Sequence, residues 1–360
     1  MKFHIQRKTH PFYKKNLCPH LACATLRVMT EQKHQHLPPV PDKTGILIVN
    51  LGTPQSPKFA DVRRYLKVFL SDRRVIEKNR FLWWLILNGP ILTFAPIRSG
   101  RNYATIWNKE RNESPLLTYT RSQSEKLANK FDENTVVRFA MRYSAPSIEP
   151  EVHALKEAGC QRILVVPLYP QYSAATTASV CDATFDALGK LRWMPTVRIA
   201  QPFYKDDTYI EALANSMKEA LKTNPEKILF SYHGLPQSYF DKGDPYPCHC
   251  RKTTRLACEK LGLDKNMVET TFQSRYGREE WLKPYTEDTL KELAAQGIKN
   301  VAVISPAFIS DCVETLHELD IEARETFMEA GGETFTLIPC LNDNDESIDM
   351  LENIIRRDLW

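Results

Sequence analysis

From Thr44 onward, short apolar runs rich in Val and Ile alternate with longer amphipathic stretches, the pattern of βα units that build a mostly parallel sheet. Eight runs predict strands, at residues 45–51 (GILIVNL), 136–143, 162–169, 197–203, 227–233 (KILFSYH), 267–274, 301–308 and 334–341. Eight parallel strands can close as a barrel, but a long helical segment separates the first run from the second and suits two open sheets of four. The fold class is therefore α/β. The boundary falls near residue 200, giving one domain over 44–200, another over 201–341, and a C-terminal helix over 342–360 that packs back on the first domain.

One segment departs from this pattern. Residues 80–96, RFLWWLILNGPILTFAP, set two adjacent tryptophans in a nearly continuous apolar run. A bilayer span needs about 20 uninterrupted apolar residues, and Asn88-Gly89-Pro90 cuts this run in its middle. The segment must bury its apolar surface against something else.

Charge changes the picture only at the N-terminus. The 360 residues carry a formal net charge of +4, but residues 1–43 hold eight Lys and Arg against Glu31 and Asp42. Without that basic start the chain is slightly acidic and offers no footprint for nucleic acid. The same 43 residues hold five of the nine histidines, end in the stiff LPPVP and show little apolar periodicity, so a disordered leader is expected. They lack the apolar core of a secretion signal and the Arg/Ser-rich amphipathic pattern of an organelle address, and Met29 offers an alternative initiator. Nine cysteines in a chain this long, without an export signal, fall short of a disulfide framework and suit a reducing cytoplasm.

In open α/β sheets ligands sit beyond the carboxyl ends of the strands, and the unusual residues cluster there. His233 ends the run KILFSYH and is followed by Gly234 and Pro236, which directs it toward an interdomain cleft. Glu314 opens the helical stretch DCVETLHELDIEARETF, where Asp311 as N-cap with Glu314 three residues on reads as a capping box. Glu314, Glu318 and Glu322 repeat at i, i+4 and i+8, a like-charged row that repels itself by a few tenths of a kcal/mol per pair and suits a path for cations or protons. His317 adds the Glu-x-x-His spacing of helical metal sites. The run PLYPQYSAATT permits close backbone approach to a flat or anionic ligand, and equally a tight structural turn. Cys248, Cys250 and Cys258 lack zinc-type spacing; joined by Cys340 they make a candidate four-thiolate set for a 2Fe-2S cluster, with free thiols as the alternative.

Taken in order, GILIVNLGTP, VFLSDRRVIE, LYPQYSAATT, SYHGLPQ, TFQSRYGREEWLKPYT and FISDCVETLHEL resemble the ferrochelatases, enzymes that insert ferrous iron into a porphyrin late in haem synthesis. The match runs from about Thr44 to the C-terminus. It implies two Rossmann-like domains, each with a four-stranded parallel sheet, and ferrous iron and a porphyrin as substrates. It also implies that His233 and Glu314 face each other across the macrocycle as metal ligands or bases, with Glu318 and Glu322 on the path to them. Tyr103, Ser114, Arg142, Tyr143, Ser274 and Trp281 fall where the family lines the ring or holds its propionates. Residues 80–96 resemble the family's hydrophobic lip, which covers the ring and touches a membrane surface, so a peripherally membrane-associated cytoplasmic enzyme is expected. Cys312 departs from the pattern, because some members carry a second histidine there. The greasy lip favours protoporphyrin IX; a coproporphyrin ferrochelatase, another tetrapyrrole chelatase and a non-catalytic porphyrin or haem carrier are the alternatives.

Overall fold

Residues 42–277 and 279–360 are described by the computed structural model. The expected leader and the alternative initiator lie outside them, except that Lys43 already opens the first strand. The first half runs β1 (Lys43–Asn50), α1 (Phe59–Ser71), α2 (Arg80–Ile86), α3 (Leu92–Ile106), α4 (Pro115–Ala128), β2 (Thr135–Met141), α5 (Ile148–Glu157), β3 (Cys160–Pro167), α6 (Ser179–Gly189) and β4 (Thr196–Ile199). The second runs α7 (Asp207–Leu221), β5 (Lys227–His233), α8 (Gln237–Asp241), α9 (Tyr246–Leu261), β6 (Val268–Gln273), α10 (Thr286–Ala295), β7 (Asn300–Ile304), α11 (Val313–Leu316), α12 (Arg324–Glu329), β8 (Thr334–Ile338) and α13 (Asp345–Asp358).

All eight expected strands form, in two parallel sheets ordered β2-β1-β3-β4 and β6-β5-β7-β8. Both sheets are open, which excludes the barrel. Each puts its first strand inside, because Ile46–Val49 and Ile228–Phe230 are continuous apolar runs and both faces of a central parallel strand are covered. The strand order reverses between β1 and β3 and again between β5 and β7, and crevices open beyond the carboxyl ends at such points. His233 ends β5 and residues 305–312 follow β7, so the second crevice brings His233 toward the segment leading to Glu314.

The final helix joins the halves. Ile348, Leu351, Ile354 and Ile355 recur at helical spacing, are buried, and enter one core with Leu127 of α4 and Ile210 and Leu213 of α7. Arg357 pairs with Asp206 at 2.6 Å, Lys130 with Asp349 at 2.6 Å, and the Gln201 amide donates to Asp358 at 2.9 Å. α13 therefore packs on both halves, where the sequence pointed to the first alone.

The two tryptophans of the apolar segment do opposite things. The Asn79 side chain caps α2, and Trp83, Leu87, Ile91 and Leu92 form a buried stripe against Leu66 and Leu70 of α1. Trp83 Nε1 donates to the Leu70 carbonyl at 2.7 Å, while Trp84 remains 58% exposed. A π-turn over Leu87–Ile91 follows, with Gly89 outside helical geometry and Pro90 lacking a donor, so α2 and α3 meet at a kink. By length and composition Arg80–Ile106 is apolar enough to cross a membrane, but its buried stripe on α1 makes it a bent lip on the surface. Phe81, Leu82, Trp84, Leu85, Phe94 and Ile97 form its exposed apolar side.

Candidate functional site

His233 ends β5, and its Nδ1 lies 2.7 Å from the Gly234 carbonyl oxygen. A carbonyl only accepts, so Nδ1 carries a proton and donates it to this bond. Glycine is required next, because a Cβ at position 234 would stand 2.7 Å from the Gln273 carbonyl and 3.2 Å from Trp281 Cε3. Trp281 thus lies directly on the backbone beside His233, with its indole N–H donating to the Tyr276 carbonyl at 2.8 Å.

Gln273 stands next to this histidine in the sheet and bonds to the glutamate segment. It is the register partner of His233 across β5 and β6, it accepts from Ser231 Oγ at 2.8 Å, and its amide donates to the Glu314 carbonyl at 2.8 Å. Ser274, whose φ of +66° is unusual for a side-chain-bearing residue, donates its hydroxyl to Glu318 Oε2. Burial pushes the Glu318 carboxyl up to about 7, and the neighbouring Glu314 charge pushes the same way. A carboxyl poised near neutrality can both take and return a proton.

The glutamate row differs from a single α-helical face. α11 is only Val313–Leu316, a π-turn occupies Glu318–Ala323, and α12 follows. The wider turn rotates Glu318 onto Ser274 and Gln273, whereas Glu322 meets His317 Nε2 at 3.4 Å and Arg98 at 3.6 Å. The expected Asp311–Glu314 capping box is replaced as well. Cys312 is the N-cap and Thr315 Oγ1 accepts its amide at 3.0 Å, while Asp311 accepts from Thr315 Oγ1 at 2.9 Å and Asn342 Nδ2 at 2.7 Å. His317 is no metal partner for Glu314, because its Nδ1 lies 2.9 Å from Thr105 Oγ1 and its Nε2 faces Glu322. Its contacts join the lip helix α3 to the π-turn.

Glu314 lines a narrow crevice with Tyr103, Ser114, Thr53 and Cys312. Burial and then the Glu314 charge push the Tyr103 phenol and the Cys312 thiol well above their usual ranges, so both stay neutral. Ser114 lies in that wall and also caps α4, accepting from the Leu117 amide at 3.3 Å. Thr53 continues into a second depression, a trough of about 300 Å³ lined by Tyr65, Val68, Arg142, Tyr143 and Ser144. That is the lower end of the range for small-molecule sites. Arg142 and Tyr143, expected among the residues that line the ring or hold its propionates, bond within the wall: Arg142 Nη2 and Tyr143 OH each donate to Asp72 Oδ2 at 2.8 Å, and Arg142 Nε donates to Ser179 Oγ at 2.7 Å.

Two other expectations are revised. Among the described residues no group of three or more His, Cys, Asp or Glu is placed to hold a metal ion, so Cys248, Cys250, Cys258 and Cys340 do not form a cluster site. Two residues apart on α9, Cys248 and Cys250 point to opposite sides, one exposed and one buried. Burial pushes the Cys258 thiol up to about 11 and those of Cys250 and Cys340 well above their usual range, away from the thiolate that binds iron. The run PLYPQYSAATT serves as a structural turn tied to the other half. Gln171 bonds Thr253 at 3.1 Å, the Tyr172 amide donates to His249 Nδ1 at 3.2 Å, and Asp244 accepts from Ser173 Oγ at 3.0 Å and the Ala174 amide at 2.8 Å. Gln273 and Asp72 were not singled out, although each lies in a quoted motif, TFQSRYGREEWLKPYT and VFLSDRRVIE. Gln273 falls near the end of a predicted strand, a signal that was available; the side-chain partners of Asp72 lie 70 to 107 residues away, beyond the reach of local pattern.

A family model for ferrochelatases matches residues 43–359. The ferrochelatases of Brucella ovis and Agrobacterium fabrum are 54% and 53% identical to this chain over 322 residues, which cover 88% of it and 92% and 94% of theirs. Among solved structures, SirB from Bacillus subtilis with Fe3+ superposes with a TM-score of 0.56 at 12% identity, covering 88% of this chain and 95% of that one. The sirohydrochlorin chelatase SirB from Bacillus subtilis subspecies spizizenii, in complex with cobalt, gives 0.54 at 12% identity over the same shares. At such identity these two speak to the fold.

Proposed function

The chain belongs to the ferrochelatase family, and from that premise we propose how it inserts ferrous iron into a porphyrin. The observation that supports this assignment of roles is that Gln273, the register partner of His233 across β5 and β6, donates to the Glu314 backbone carbonyl, which favours grouping the imidazole and the glutamate row around one ring. Insertion exchanges two pyrrole protons for one divalent ion. His233, its Nδ1 committed to the Gly234 carbonyl, receives protons at Nε2 from one face of the ring. Glu314 meets the metal from the other. Glu318 relays protons, and Glu322, 44% exposed at its side chain, opens the row to solvent. The macrocycle occupies the trough and the Glu314 crevice, which share Thr53 and whose walls include the neutral Tyr103 and Tyr143. Apolar walls exclude water from the reacting face, which strengthens each charge interaction there.

Protoporphyrin IX is the favoured substrate. The lip exposes a continuous apolar side to cover vinyl-bearing edges, and Arg142 on the trough wall is already paired with Asp72 rather than free for additional carboxylates. The same lip side suits the surface of a membrane, where a sparingly soluble ring would be delivered to a cytoplasmic enzyme.

An anaerobic absorbance assay with ferrous iron and either protoporphyrin IX or coproporphyrin III, run on the wild type and His233→Ala, tests this. Insertion into protoporphyrin that the substitution abolishes supports the roles given. Faster turnover of coproporphyrin overturns the substrate assignment, and an active His233→Ala variant overturns the role of the imidazole.

A further inference from the structure

Where the chain leaves α1 for the lip, a single carboxylate oxygen gathers three segments. Asp72 Oδ2 accepts from Ser179 Oγ at 2.6 Å, Arg142 Nη2 at 2.8 Å and Tyr143 OH at 2.8 Å, and Oδ1 accepts from the Arg74 amide at 2.7 Å. The Asp72 side chain is only 8% exposed. Burial opposes its charge, but the Ser179, Arg74 and Tyr143 hydrogen bonds and the Arg142 guanidinium hold the carboxyl below its ordinary range. It is therefore ionised whenever the protein is folded near neutral pH.

The donors come from two places and the acceptor from a third. Arg142 and Tyr143 form the trough wall at the end of β2, and the Tyr143 ring packs on Phe69 of α1 at 5.0 Å. Ser179 starts α6, directly after the loop that Asp244 and His249 tie to the other half. Asp72 itself ends α1, whose Leu66 and Leu70 carry the lip. Wall, lip base and cross-half loop thus meet at one atom.

We propose that Asp72 is a positioning residue for porphyrin binding, fixing the trough wall against the base of the lip by holding Arg142, Tyr143 and Ser179 together. The inference rests on the function proposed above. It makes Arg142 a strut rather than a propionate anchor, because a partly buried guanidinium whose carboxylate is removed must find another partner and take the wall with it.

The test is steady-state insertion of ferrous iron into protoporphyrin IX by the full-length wild type, Asp72→Asn, Ser179→Ala and the double variant Asp72→Asn/Arg142→Gln. For Asp72→Asn the KM for porphyrin is expected to rise about tenfold, with kcat within threefold and the KM for iron unchanged. Ser179→Ala, which keeps the charge pair, should give a smaller rise of about threefold and stands in if Asp72→Asn does not fold. The double variant should recover most of the porphyrin KM, since it also removes the stranded charge. Unchanged or tighter porphyrin binding in Asp72→Asn, or in Ser179→Ala if that alone folds, overturns the proposal; tighter binding would mean that the released guanidinium grips a propionate. A wild type that inserts no iron overturns the proposed function instead, which keeps the two failures apart.

Discussion

Glu318→Gln isolates a cost that the site imposes on the fold. Burial raises this carboxyl from 4.5 to about 7. A folded-state value above the unfolded one means that stability is full below pH 4.5 and declines as pH rises to about 7, because the folded protein must there either keep a proton that the unfolded chain has released or bear a buried charge. A shift of about 2.5 units at 1.36 kcal/mol per unit amounts to roughly 3 kcal/mol at pH 8. Glutamine has nearly the same shape and can still accept the Ser274 hydroxyl, so the substitution removes the charge and leaves the packing. Thermal melts from pH 4.5 to 8.5 should show the two proteins coinciding at the acid end. The variant should pull ahead through neutrality by roughly 5 °C, at about 2 °C per kcal/mol for a protein of this size. Its turnover should fall at least tenfold. A melting difference that does not change with pH would refute the reasoning, since only a titrating group produces that slope.

Two further outcomes follow from packing. Gly234→Ala sets a Cβ against the Gln273 carbonyl and Trp281, so it should cost about 1–3 kcal/mol by overpacking and reduce turnover by displacing His233, both read from melts and the insertion assay. In the lip, Trp84→Ser should leave the melting temperature within about 1 °C yet weaken co-sedimentation with phosphatidylcholine vesicles, because that ring is exposed. Trp83→Ala, next to it, should instead destabilise by about 3–5 kcal/mol. Equal effects of the two on stability would contradict the division between buried and exposed faces.

The eight strands were legible because central parallel strands must be apolar on both faces, and Ile46–Val49 and Ile228–Phe230 meet that demand over several consecutive residues. The place of His233 at the end of β5 was legible for the same reason, and in open sheets ligands gather beyond such strand ends. The glutamate row was legible in composition but not in shape. A spacing of four implies one α-helical face, and nothing in ELDIEA announces the wider turn that sends Glu318 and Glu322 to different partners. Cys312 and Thr315 could not be preferred over Asp311 and Glu314 as a cap, because both pairs have the right spacing and the choice depends on Asn342, 31 residues away, engaging Asp311. The cysteines misled for a related reason: their number suggests a set, but direction on a helix decides whether thiols meet.

The packing of α13 on both halves bears on how the protein is made. Ribosomal synthesis proceeds from the N-terminus, and the first sheet is complete in sequence at Ile199, long before Ile348, Leu351 and Ile354 exist to cover Leu127. Until those residues emerge, the nascent chain carries an uncovered apolar surface on α4 and α7, the kind of surface that chaperones hold. Assembly of the two halves is therefore completed only once α13 has emerged. Premature termination within it should yield aggregated protein rather than an active first half joined to a loose second.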